Sequence, residues 1–197
     1  MRPRRQTKGR AETKSKSIPA VATIALVLAV VSGRAVTAQD KYAVQVPGGL
    51  AFSEFRGYET WEVVSVSHPA GGEGMSANEL LNVIVANQVM IKAYQSGVPG
   101  NGKPFPDGSK SAKIQWRPKK SAEAPVPTMV PDTLKDIAFM AKDGKRFADS
   151  GGWGYGMFNY DPASNRFTPE GTGAKCGAAC HTIAKAKDYV FTAYEKK

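Results

Sequence analysis

The only two cysteines of this chain lie four positions apart, and a histidine follows the second one directly, in the run Cys176-Gly-Ala-Ala-Cys180-His181. A disulfide between them would close a loop too short to gain much stability from the entropy of closure. A zinc site would lack its fourth ligand. The adjacent cysteine and histidine are typical of the C-x-x-C-H attachment signature of c-type haem, in which two thiols bond to the vinyl groups and the histidine coordinates iron.

This run departs from that signature by one residue, because three residues separate the cysteines. The spacer is one glycine and two alanines, which are small enough for an extra residue to bulge without clashing with the porphyrin. We therefore predict one covalent haem c, with thioether bonds to Cys176 and Cys180 and with His181 as the proximal iron ligand. A disulfide and a metal site stay as alternatives.

The formal charge of +10 is concentrated at the start of the chain. Residues 1–38 contain eight basic residues and one acidic residue, so that 19 basic and 16 acidic residues remain in 39–197. A basic leader, a short apolar run at 18–31 and small residues before Gln39 predict a signal peptide over 1–38. The apolar run is shorter than the roughly 20 residues that span a bilayer. We expect an exported protein, periplasmic or otherwise, with no stable membrane span after signal removal.

We interpret the mature chain as an entry segment at 39–58 followed by one domain at 59–197. Alternating apolar and polar residues predict strands at 61–68 and 112–116. We favour a strand over a short helix at 133–142 for the same reason. The glycine- and aromatic-rich run at 151–158 indicates a strand that another group approaches closely, or a bulge.

A capping box formed by Ser76 and Glu79 precedes an apolar run, which predicts a helix over 77–95. A proline-rich connection is expected at 118–131, and residues 182–195 have helical character. Short strands with one or two helices indicate an α+β fold: a single domain rich in antiparallel sheet, with a few packed helices and one covalently bound haem c.

Several segments of the chain, in order, resemble the cytochrome P-460 family, which also includes the β-sheet cytochromes c′. The resemblance covers roughly residues 59–194. The matching segments are WEVVSVSH at 61–68, IKAYQSG at 91–97, PFPDGS at 104–109, AKIQW at 112–116, GGWGY at 151–155, the Cys-x-x-x-Cys-His run and DYVFT at 188–192. The resemblance implies a sheet-rich fold with one five-coordinate c-type haem, whose proximal histidine comes from the attachment run.

Catalytic members of this family carry a lysine joined to the haem edge, and some of them oxidise hydroxylamine. The resemblance makes Lys113 the candidate for this cross-link, because it lies in the AKIQW segment and points away from Ile114 and Trp116. Lys92 and Lys103 lie in other matching segments and stay as alternatives. A solvated surface lysine is the alternative reading of Lys113.

An open sixth coordination position is expected, because core filling or a structural role is the favoured interpretation of each residue that carries a suitable atom. Those residues are His68, Met75, Met90, Met129, Met140 and Met157. Hydroxylamine-oxidising relatives also use a distal carboxylate as proton acceptor, and the sequence does not locate one: Asp161 and Glu170 are near the GGWGY segment in sequence only.

Three functions are compatible with these expectations. The first is the oxidation of a small nitrogen compound, hydroxylamine or nitric oxide, with electrons passed to a soluble electron-transfer protein. The second is a non-catalytic module that binds nitric oxide, like the c′-type members, and the third is a plain electron carrier with a sixth ligand. The near balance of charge in residues 39–197 makes nucleic acid a poor partner. The oligomeric state is left open, with a homodimer as one alternative.

Overall fold

Six antiparallel strands pair in the order in which they follow along the part of the chain that the structure describes. The structure is a computed structural model and describes residues 39–69, 80–170 and 173–194. The strands are β1 Glu62–Ser67, β2 Leu81–Ala86, β3 Lys110–Lys120, β4 Met129–Lys142, β5 Trp153–Asp161 and β6 Arg166–Pro169. Two α-helices are described, α1 Gln88–Gln95 and α2 Gly173–His181. The α+β fold rich in antiparallel sheet is therefore confirmed.

The residues on each strand alternate between two faces of the sheet. On one face Ala112 is paired with Phe139, and Ile137 with Phe158. These side chains pack under the segment before β1, which contains short 3-10 helices at Lys41–Ala43, Phe52–Phe55 and Tyr58–Thr60. We call this the aromatic face. The other face carries α1, α2 and the residues after α2, and we call it the site face.

Aromatic rings fill the aromatic face. The Phe52 ring is fully buried and contacts five other aromatic rings, at centroid distances of 5.0–6.0 Å. The Phe55 ring stacks on Phe139 at 4.0 Å. Gly156 on β5 fits here because a Cβ atom would lie only 3.2 Å from the Leu50 Cβ. The close approach expected for the run at 151–158 is thus confirmed.

The strands expected at 61–68, 112–116 and 133–142 are confirmed, but the helix expected over 77–95 is wrong in its first part. Residues Leu81–Ala86 form β2, and α1 covers only Gln88–Gln95. The reason is local: Val83, Ile84 and Val85 are β-branched and favour a strand. Asn87 is the actual N-cap, since its side chain accepts a hydrogen bond from the Met90 N–H at 3.1 Å. The capping box of Ser76 and Glu79 lies outside the described residues.

Two other expectations need correction. The connection at 118–131 is shorter than expected, because β3 continues to Lys120 and β4 begins at Met129. Pro118 and Pro131 face each other beside a shift in register, where neither has to supply a ladder hydrogen bond. Residues 182–195 are only partly helical: a 3-10 helix spans Thr182–Lys187, and the chain then turns.

The signal peptide expected over 1–38 lies outside the described residues. Within the described parts of the chain, no helix has the length and apolar character needed to cross a membrane.

Candidate functional site

A cavity of about 470 Å³ lies between the site face of the sheet and the segment formed by α2 and the residues after it. Its floor comes from β2 to β5, and α1 and residues 190–192 contribute to its walls. The volume falls within the range of about 300–1,000 Å³ that is usual for cofactor and ligand sites. The cavity is therefore large enough to hold a cofactor or a small ligand.

Helix α2 brings the attachment run to the cavity. Cys176 and Cys180 are free thiols four positions apart on the helix, so they share one face of it, and both line the cavity together with His181. The helix is continuous from Gly173 to His181, so the three-residue spacer forms no bulge. A regular helical turn already accommodates the extra residue.

The spacer has a packing role that the sequence did not reveal. A Cβ atom on Gly177 would lie 2.6 Å from the Cβ of Tyr155 on β5, closer than real Cβ atoms come. Only glycine therefore lets α2 approach the sheet this closely. The close approach determines how far the two thiols stand from the floor of the cavity.

His181 is oriented by a backbone hydrogen bond. Its Nδ1 lies 2.7 Å from the carbonyl oxygen of Tyr189. Because a carbonyl oxygen only accepts, Nδ1 carries the proton and Nε2 keeps its lone pair for a metal. Burial lowers the pKa of His181, and the hydrogen bond to Tyr189 opposes that shift only in part. The neutral imidazole favoured by this environment is the form that ligates iron.

Lys113 lies on the cavity floor, where it is paired with Ile84 on β2 and with Ala138 on β4, and Ala138 is paired in turn with Met157 on β5. Its side chain is half-buried, so the solvated surface lysine is wrong. Burial lowers its pKa, against an opposing effect of the Asp136 carboxylate. The alternatives Lys92 and Lys103 are exposed and do not line the cavity. Of the three candidates, the structure brings only Lys113 to the cysteines and histidine.

A carboxylate also reaches the cavity. Glu170 follows β6 and lines the cavity, because the β5–β6 hairpin returns the chain so that the Glu170 N–H donates to the Met157 carbonyl at 2.8 Å. The statement that Glu170 is near only in sequence is therefore wrong. Asp161 is the exposed last residue of β5, where it accepts a hydrogen bond from Ser164. The two-strand register of the hairpin is the signal that would have identified Glu170.

The candidates for a sixth ligand divide into two groups. Met90, Met140 and Met157 line the cavity, whereas His68 and Met129 are exposed at strand ends. Met75 lies outside the described residues. The three methionines make the cavity wall apolar and leave thioether sulfur as an available ligand type there.

One buried polar atom in the cavity wall fits a bound cofactor. The Tyr155 hydroxyl is buried on the site face without a hydrogen-bond partner among the described residues. Tyr155 lines the cavity, its ring centroid is 5.0 Å from that of His181, and burial raises its pKa. Its hydroxyl is thus a protonated donor, and an acceptor group in the cavity would satisfy it. Zinc has no comparable fit, because no group of three or more His, Cys, Asp or Glu side chains gathers in the described parts.

Comparison with known proteins agrees with this arrangement. The family model for cytochrome P460 matches residues 55–192, which is most of the chain. No curated protein matches the chain. The matched range contains the whole sheet, both helices and each cavity residue discussed above. The chain therefore belongs to the cytochrome P460 family and is a haem-binding protein.

Proposed function

We propose that this protein is an exported c-type cytochrome that oxidises a small nitrogen compound, hydroxylamine or nitric oxide, and passes the electrons to a soluble carrier. The observation that carries the proposal is that Cys176, Cys180, His181, Lys113 and Glu170 all line one cavity. The haem would supply an iron that binds the substrate and takes up its electrons. The residues around it would hold the haem, orient it and accept protons.

The attachment run would hold the cofactor. Each thiol, from Cys176 and Cys180, would add across a vinyl group, so that a carbon–sulfur bond forms and the thiol proton is transferred to the neighbouring vinyl carbon. His181 would ligate iron through Nε2, which its Nδ1 hydrogen bond to Tyr189 leaves available. The nitrogen of Lys113 would be joined to a carbon of the haem edge in a two-electron oxidation, by a peroxide for example, that removes one N–H and one C–H hydrogen. This bond would distort the macrocycle and change its electronics.

Glu170 would act as the proton acceptor in the oxidation of hydroxylamine. A general base has to come within hydrogen-bond reach of the proton that it removes, and Glu170 lines the same cavity as the residues that would hold the haem. Its carboxylate oxygen would take a proton from the substrate as electrons leave through the cofactor to the carrier.

Two other functions each have an observation in their favour. The apolar wall formed by Ile84, Met90, Met140 and Met157 suits an uncharged gas, which favours a nitric-oxide-binding module. The same three methionines offer thioether sulfur as a sixth ligand, which favours a plain electron carrier.

Mass spectrometry of the purified protein tests the covalent haem and the export together. We expect a chain that begins at Gln39 and carries the mass of one haem, and we expect that haem to be lost from the double variant Cys176→Ala/Cys180→Ala. An apoprotein mass with the two cysteines oxidised to each other would refute the haem attachment.

The optical spectrum of the ferrous protein tests the function. A Soret band shifted far to the red, which returns to an ordinary position in Lys113→Leu but not in Lys92→Leu or Lys103→Leu, would support the cross-link and the enzyme. An ordinary high-spin spectrum would favour gas binding, and a low-spin spectrum would favour the carrier.

Hydroxylamine turnover with an artificial electron acceptor tests the proton acceptor. We expect Glu170→Gln to lower kcat by about 100-fold or more, the usual scale of a positioned general base. Asp161→Asn is the matched control on the same hairpin and should leave kcat unchanged. Equal activity in both variants would remove Glu170 from the mechanism.

A further inference from the structure

We propose that a buried ion pair between Lys142 and Asp188 is a positioning element for the proximal histidine. It holds the turn whose Tyr189 carbonyl accepts the hydrogen bond from His181 Nδ1, and through that bond it adjusts the strength of the iron–histidine bond. The inference rests on the role of His181 as iron ligand in the proposed function. It adds two residues that do not touch the haem site themselves.

The turn after the 3-10 helix has an unfavourable backbone. Asp188 and Tyr189 have φ angles of 49° and 64°, in the left-handed region that residues other than glycine rarely adopt. Two such residues in succession persist only when the surrounding structure holds them. Their conformation is nevertheless required, because it aims the Tyr189 carbonyl back at the imidazole, at 2.7 Å.

The Asp188 carboxylate is held on both oxygens. Oδ1 pairs with the Lys142 Nζ at 2.7 Å, and Oδ2 accepts the Phe105 N–H at 2.8 Å. Lys142 Nζ also donates to the Gly151 carbonyl at 2.9 Å. We call this arrangement the Lys142–Asp188 bracket. The two side chains are only 8% and 12% exposed, so water and salt screen their attraction weakly.

The bracket is attached to the rigid part of the fold. Lys142 is the last residue of β4, and its own N–H donates to the Ser109 carbonyl at 2.8 Å. The ring of Tyr189 lies against Gly151, where any Cβ atom would overlap the ring. Lys142 therefore connects the sheet, the Gly151 turn and the Asp188 turn at one point, and the Tyr189 carbonyl has little freedom to move away from His181.

This geometry has a consequence for the metal ligand. A hydrogen bond from Nδ1 raises the basicity of Nε2 and fixes the rotation of the ring. A stronger imidazole donor stabilises the ferric over the ferrous state and stiffens the iron–histidine bond. Loosening the bracket should therefore lower the iron–histidine stretching frequency and raise the midpoint potential, even though neither Lys142 nor Asp188 lines the cavity.

Resonance Raman spectroscopy of the ferrous holoprotein and a redox titration test the inference. We expect Lys142→Met and Asp188→Asn each to lower the iron–histidine frequency and to raise the midpoint potential. Lys142→Arg, which keeps the charge, should restore both towards the wild-type values. These readouts do not depend on hydroxylamine turnover, so the inference is testable whether or not the protein is an oxidase.

Lys110→Met is the matched control. Lys110 is also a partly buried lysine that donates to a backbone carbonyl, that of Glu54 at 2.7 Å, but it acts on the aromatic face. We expect this variant to lose stability with both readouts unchanged. If Lys142→Met loses stability in the same way, with frequency and potential also unchanged, the bracket serves folding alone and the inference is wrong.

The wild-type protein provides a test that does not depend on the folding of any variant. Its ferrous iron–histidine frequency should lie in the range of strongly hydrogen-bonded imidazole ligands, and a frequency typical of an imidazole without such a bond would overturn the inference. Absence of any iron–histidine mode in a five-coordinate ferrous protein would instead refute His181 as the ligand, and with it the proposed site.

Discussion

The two faces of the sheet come from the same strands but differ in how completely the chain fills them. On the aromatic face the rings of Phe52, Phe55 and Phe139 pack directly against one another. On the site face the Tyr155 hydroxyl is buried without a partner among the described residues, next to a cavity. A protein interior is normally packed to the density of organic crystals. The difference agrees with the proposed function, in which the aromatic face maintains the fold and a haem in the cavity would complete the site face.

Phe52→Ala should give the largest change in stability, and the structure of the site face should stay unchanged. The ring is fully buried among five aromatic neighbours, so we expect a loss of about 3–5 kcal/mol in the free energy of unfolding. The ferrous optical spectrum should not change. Urea denaturation and the spectrum of the folded fraction measure both effects.

Phe105→Ala is the comparison for that experiment. Phe105 is equally buried on the site face, where its ring contacts Tyr94 and Trp153 at 4.9 and 5.9 Å. This variant keeps the backbone N–H at position 105, but the space left by the ring should loosen the segment whose N–H holds Asp188. We therefore expect a loss of stability together with a change in the spectrum. A spectral change in Phe52→Ala as large as in Phe105→Ala would show that the two faces are not independent.

Gly177→Ala tests how tightly α2 is held against the sheet. Helix propensity alone would make this substitution stabilising by about 1 kcal/mol. The overlap of the new Cβ with the Tyr155 Cβ, at 2.6 Å, outweighs that gain, and we expect a net loss of about 1–2 kcal/mol together with a spectral change. Urea denaturation shows whether the free energy of unfolding falls or rises in this variant. Lys175→Ala, an exposed position on the same helix, is the control, and a net gain in Gly177→Ala would contradict the close approach.

Strands with an alternating pattern of apolar and polar residues were predicted from the sequence, whereas the strand at 81–86 was not. Alternation within a strand is local, so the strands at 112–116 and 133–142 could be predicted directly, as could the position of Lys113 on the face opposite Ile114. The apolar run at 81–86 is almost uninterrupted, and an uninterrupted run does not distinguish a strand from a buried helix. The capping box before it favoured the wrong alternative.

Contacts between distant segments had no local signal. Glu170 reaches the cavity because of the β5–β6 register, and Asp188 meets Lys142 across 46 positions of the chain. The attachment run was identifiable because its three functional residues lie within six positions. The Tyr189 carbonyl that orients His181 depends instead on a left-handed turn, and no sequence motif predicted that turn. Local chemistry was therefore predictable, and the residues that position it were not.

Acid should weaken the aromatic face through one ion pair. Glu54 accepts hydrogen bonds from Arg146 at 2.6 and 3.1 Å and from the Ala51 N–H at 2.8 Å. Burial alone would raise the pKa of Glu54, but these bonds outweigh it and hold the pKa below its ordinary value of 4.5. The contribution of the Glu54–Arg146 pair to the free energy of unfolding is therefore present above pH 4.5, and it is lost as the pH falls through the lowered pKa of Glu54.

Glu54→Gln should remove the stabilisation by this ion pair. We expect a loss of about 1 kcal/mol in the free energy of unfolding, because the pair is partly exposed. The difference in unfolding free energy between wild type and variant should be constant near neutral pH and shrink below pH 4.5. Urea denaturation at a series of pH values measures it, with the spectrum as a check that the site face is unchanged. A difference that grows in acid would contradict the assigned direction of the pKa shift.

Tyr155→Phe should give the smallest change in the free energy of unfolding. The sign of that change tests most directly whether the cofactor completes the site face. If the hydroxyl stays unpaired in the holoprotein, removing it should be neutral or stabilising, because a buried polar atom without a partner carries a desolvation cost. If the cofactor supplies an acceptor, the variant should lose about 0.5–1.5 kcal/mol, the usual net value of a hydrogen bond. We expect the loss, because the hydroxyl is buried in the wall of the cavity.

Tyr94→Phe calibrates this measurement. Tyr94 also lines the cavity, and its hydroxyl donates to the Thr192 carbonyl at 3.0 Å, so its removal gives the value of a known hydrogen bond at the same site. Urea denaturation of the two holoproteins should give losses of similar size. A loss in Tyr94→Phe with none in Tyr155→Phe would mean that the cofactor leaves the Tyr155 hydroxyl unpaired, and the site face would then be incomplete even when the cofactor is bound.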